Sequence, residues 1–146
     1  MSRTPILLLA TLFTLFSAAA SAKTEIHQYK VADVLSNPEY SSQLEGVQFF
    51  FGNQPHPAVV ESFGEFRTNK KTNAFGKDDY TACEWVFMSA MLQLHKRAIS
   101  VGANAVVNIR SNFKNREVSS ETEFTCGAGF ATAGVALIGD FVRIEE

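Results

Sequence analysis

Three histidines, two cysteines and scattered acids are the side chains from which this chain could build a reactive site. His27, His56 and His95 lie far apart, and no two have the short spacing by which a helix or hairpin offers paired metal ligands. No metal site is therefore expected. His95 falls among Met88, Met91 and Ile99, the setting of a core or interface histidine with satisfied ring nitrogens. A small-ligand pocket would form if the fold brought His95, Arg110 and Asp140 together. Nothing like Gly-x-Ser-x-Gly marks a nucleophile. The Asp78-Asp79 and Glu121/Glu123 pairs have plain roles as helix-start charge and wet strand face. Gly127 to Gly134 is glycine-rich, yet Thr132 stands where a dinucleotide fingerprint needs its third glycine, and a strand pattern follows instead of a helix. Gly76-Lys77 is followed by Asp78 and lacks the upstream glycine of a Walker loop. No catalytic constellation, no cofactor and no nucleotide are expected.

The compartment decides what the cysteines do. Arg3, the apolar run Ile6 to Phe16 and the small-x-small Ala20-Ser21-Ala22 have the form of a cleaved leader over residues 1–22. The run is too short to stop in a bilayer, and no cysteine follows the cut to carry a lipid. The mature chain is expected to start at Lys23, periplasmic or secreted, without a transmembrane anchor. Removing 22 of 146 residues leaves 124, enough for a single domain with its own core, expected over about residues 47–146. Loss of Arg3 leaves 12 basic against 15 acidic residues, a net charge of −3, which lacks the electrostatic footprint of a nucleic-acid binder. In oxidising surroundings two cysteines favour one disulfide, Cys83 to Cys126. A low-pKa redox thiol at Cys83, in a first helical turn, is the other reading; it lacks the Cys-x-x-Cys partner that would resolve a mixed disulfide.

These residues are positioned by a helix that runs directly into a strand. Thr81 as N-cap with Glu84 as capping box, Tyr80 and Trp85 as staple, and Gly102 as left-handed stop predict a helix over Ala82 to Val101. Its polar stripe is Ser89, Gln93, Lys96 and Ser100, with nearly everything else apolar. Val106 to Phe113 alternates as a strand. Strands are also expected at Val47 to Phe51, Ala58 to Arg67, Val118 to Cys126 and Ala133 to Ile144, with Arg67 to Asn73 a solvated loop. Glu25 to Leu35 reads as a strand end followed by a helical turn, and Glu39 to Leu44 as another turn of helix. Gly134 and Gly139 point to close backbone approach or a bulge. The predicted fold class is α+β, one long helix packed on a largely antiparallel sheet in the order β-β-α-β-β-β.

Gly102-Ala103-Asn104-Ala105-Val106-Val107-Asn108-Ile109-Arg110 resembles the helix-to-strand passage of the YbjQ family of small oligomeric domains. Gly134-Val135-Ala136-Leu137-Ile138 is similar to that family's closing strand. The resemblance implies a βαββ core and ring-like homo-oligomers. The family's heavy-metal-binding label finds no clear ligand set in these residues. The wider pattern from Phe49 to Ile144, with Cys83 and Cys126, resembles secreted bacterial proteins often labelled as excinuclease ATPase subunits, although the motifs that label requires are absent.

Two functional readings follow. One is a non-enzymatic periplasmic domain that self-assembles or binds an envelope protein. The other is a periplasmic small-ligand or metal-binding protein. Homo-oligomerisation is expected because Ala133 to Ile144 is apolar on both faces while one helix covers only one.

Overall fold

The computed structural model describes residues 23–146; the expected leader, residues 1–22, lies outside them. Strand β1 (Glu25–Lys30) leads into two short helices, α1 (Val31–Leu35) and α2 (Pro38–Ser41), and a 3-10 turn (Ser42–Leu44). Then come β2 (Gln48–Phe51), β3 (Val59–Asn73), the long helix α3 (Asp79–Val101), β4 (Ala105–Phe113), β5 (Arg116–Val118), β6 (Glu123–Ala128) and β7 (Thr132–Ile144).

The expected single helix on a five-strand layer is corrected by this sheet. Strands dominate the described residues, and seven of them form one curled sheet, a half-barrel around α3. The cause lies in β7. Its one edge pairs with β3 along its full length, while the other is shared by β6 near Gly134 and by β4 from Leu137 onward. A sheet that forks along one long strand cannot lie flat, and register shifts at Val107/Arg110 and Ser62/Gly64 add local twist. All pairs are antiparallel except β2 with β4.

Smaller corrections follow from the same topology. Arg67 to Asn73 is not a loop: it continues β3 and pairs with Thr132 to Ile138. Val118 to Cys126 divides into the end of β5 and the start of β6, separated by four residues. The cap of α3 is Asp78, whose carboxylate accepts from the Thr81 N–H at 2.9 Å, so the helix starts earlier than predicted. Glu84 makes no capping box; it accepts from the Tyr40 hydroxyl at 2.7 Å, and Trp85 is half exposed. Gly102 closes the helix at φ 83°, as expected.

The core fills the concave side. Phe87 stacks on Phe124 with ring centres 4.0 Å apart, beside the buried Cys83–Cys126 disulfide. Val31, Val34 and Leu44 belong to this core, so it begins before residue 47. The convex face of β7 is covered too. Phe50 lies over Ala105, Val107, Val142 and Ile144, and Ile138 sits fully buried between Arg67 and Arg110 in the register. The final strand therefore does not offer the bare apolar face on which self-assembly was expected.

Candidate functional site

Three centres stand out, two of them at the start of α3. The first lies outside the disulfide, where β1 meets the start of α3. Alternation along β1 turns Glu25, His27 and Tyr29 to one side, opposite Ala128, Cys126 and Phe124 in the register. The His27 Nε2 stands 2.8 Å from Asp79 Oδ2 and 3.7 Å from Glu25 Oε2. The His27 ring stacks on Tyr29 with centres 5.4 Å apart. Burial pushes the Tyr29 phenol above its ordinary pKa, and the charges of Asp79, Asp78 and Glu25 push it further. These are the only described residues that group three metal-capable side chains. A search for paired His and Cys missed them; the legible signal was Glu25-x-His27, two ligand types on one face of a strand.

The second centre is Arg110, on the convex face. Its guanidinium meets Glu65 at 2.7 Å, Glu117 at 3.5 Å and Asp140 at 3.8 Å, with only 13% of the side chain exposed. Asn108, at φ 50° in the bulge of β4, donates to Asp140 at 3.3 Å and accepts from Arg110 through its carbonyl at 3.0 Å. Of the expected pocket His95, Arg110 and Asp140, the fold joins the last two. His95 faces elsewhere, donating to the Glu45 carbonyl at 2.7 Å and lying near Phe49. Three carboxylates around one cation leave Arg110 no free charge with which to hold an anion.

The third centre is aromatic and exposed. Phe75, in the β3–α3 loop, and Phe130, in the β6–β7 turn, meet edge to face with ring centres 5.4 Å apart, yet are 64% and 77% exposed. Trp85 is 52% exposed on the first turns of α3, under the Lys77 ammonium, which is 5.2 Å from its ring centre. Asn73 fixes the loop: its side chain accepts from the Phe75 N–H and its carbonyl from Lys77. Beside Trp85 runs a groove of about 360 Å³ whose walls include Tyr40, Thr72, Met88 and Leu92.

No family model, curated protein or solved structure matches the chain. Its chemistry is read from its own residues. The Cys83–Cys126 disulfide, with Cα atoms 5.9 Å apart, marks a chain that matures in an oxidising, non-cytoplasmic location. No helix among the described residues is long and apolar enough to cross a membrane.

Proposed function

We propose that the mature chain is a non-enzymatic binding domain of the periplasm, and that the end bearing Phe75, Phe130 and Trp85 engages a second protein molecule. The observation that carries this reading is the exposure of three large aromatics around one loop, next to a groove of mixed polar and apolar lining. Rings left in water at this density are the usual mark of an interaction surface, and aromatics are the residues that most often anchor one. A rigid position lowers the entropy lost on docking, and the Asn73 hydrogen bonds supply it.

Each histidine is engaged by a neighbour: His27 by Asp79, His56 by the Pro57 carbonyl and His95 by the Glu45 carbonyl. The partner is a second copy of the chain or an envelope protein, reached after removal of residues 1–22. Purified mature protein and the double variant Phe75→Ser/Phe130→Ser separate these cases. Light scattering across a hundredfold dilution reads self-association, and retention of envelope proteins on immobilised protein reads a foreign partner. The expected result is one of these two, lost in the variant with its thermal midpoint unchanged. A monomer that retains nothing, or binding equal in both proteins, contradicts the proposal.

A further inference from the structure

We propose that Glu25, His27 and Asp79 form a binding site for a divalent transition cation of the zinc class, assembled by the Cys83–Cys126 disulfide. The site uses different residues from the aromatic end and stands or falls independently of it. The three donor atoms lie within 4.8 Å of one another. A tetrahedral ion bound at about 2.0–2.1 Å keeps its ligand atoms roughly 3.4 Å apart. The observed separations from His27 Nε2, 2.8 and 3.7 Å, fall on either side of that spacing. Small side-chain rotations would seat the ion, with His27 giving up its hydrogen bond to Asp79.

The donor set selects the metal class. One imidazole nitrogen with two carboxylates suits zinc and its neighbours better than calcium or magnesium, which favour oxygen alone. Three protein ligands leave a fourth position for water, and the partial exposure of all three side chains keeps it accessible.

A structural explanation covers only part of this arrangement. Acids at the first turn of α3 stabilise the positive end of the helix dipole, which accounts for Asp78 and Asp79. It does not account for Glu25 and His27, which come from another element and share the one face of β1 that meets that turn. Asp79 precedes Cys83 by four residues, about one helical turn, and His27 is opposite Cys126, the other half of the disulfide, in the register. One covalent bond thus fastens both ligand-bearing elements to each other. Ligands 52 residues apart do not meet in the unfolded chain, so the ion would bind only the folded state and stabilise it.

The test is calorimetric titration of zinc chloride into untagged mature protein stripped with a chelator. One ion per chain is expected, with a zinc-dependent rise in thermal midpoint. His27→Ala should weaken binding by about tenfold or more, since even residues behind the ligands are worth that much. Asp79→Asn, which keeps the Asp78 cap, should do the same and serves if β1 detaches in the first variant. Absence of saturable heat with the parent protein overturns the site. So does undiminished binding in a variant whose zinc-free midpoint matches the parent, since the ion would then sit elsewhere.

Discussion

Phe113 covers two glycines on the convex side of the sheet, and this contact explains why neither position carries a side chain. A Cβ at Gly127 would fall within the Phe113 ring, and one at Gly134 would stand 3.0 Å from its Cε2. A Cβ at Gly129 would meet nothing nearer than the Thr132 carbonyl oxygen at 3.6 Å, an ordinary contact. Gly127→Ala is therefore expected to destabilise by about 1–3 kcal/mol, the usual cost of overfilling a packed site. Gly129→Ala should be nearly neutral. Denaturant midpoints at constant slope measure both. Asp78 is the other residue with a single clear task. The N–H and hydroxyl of Thr81 hold its carboxyl below the ordinary carboxylate range, so its contribution is present at neutral pH and fades as acid protonates it.

Among elements, the short helices before β2 are fastened to α3 by the Tyr40–Glu84 hydrogen bond. That bond pushes the Tyr40 phenol up to about 12, with burial and the Glu84 charge adding to it. A phenol whose pKa is raised by folding contributes stability that is complete below about pH 10, where the unfolded tyrosine ionises, and is lost as pH rises toward 12. Tyr40→Phe should cost about 1 kcal/mol at neutral pH, below the usual range for a charged acceptor because the pair is half exposed. It should also flatten the loss of stability between pH 10 and 12. Chemical denaturation at both pH values, parent against variant, checks the sign.

The elements also show what sequence could and could not carry. The α3-to-β4 passage was legible because Gly102 and the alternation of residues 105–113 are local signals. The seam continues with Asn104, whose side-chain amide donates to the Ile144 carbonyl and whose side-chain oxygen accepts from the Ile144 N–H. Arg67 to Asn73 read as a loop because an edge strand with polar residues on both faces has no hydrophobic period. The curl of the sheet was illegible, since it depends on β7 sharing one edge between β4 and β6. Of the three residues of the conditional pocket, Arg110 and Asp140 meet as an ion pair while His95 lies elsewhere, because nothing local reveals which side of the sheet a helix residue faces. The Glu25–His27–Asp79 group escaped for a related reason: its third member arrives from another element.

For the whole molecule, the disulfide and the aromatic end set the terms. Closing a loop of 43 residues' separation contributes about 4 kcal/mol in the chain-entropy model, a large share of the stability of a domain this size. The exposed aromatics at one end add only local contacts to that fold and are the surface proposed to bind protein. Strand β3 places Val60, an apolar residue 56% exposed, about 40 Å along the strand from that end. The most direct measurement is site-specific photo-crosslinking of the exported chain in living bacteria, with a photoreactive residue replacing Phe130 or Val60. A discrete protein adduct from position 130, diminished by Phe75→Ser and absent from position 60, is the predicted result. No adduct from position 130, or equal adducts from both positions, would contradict it.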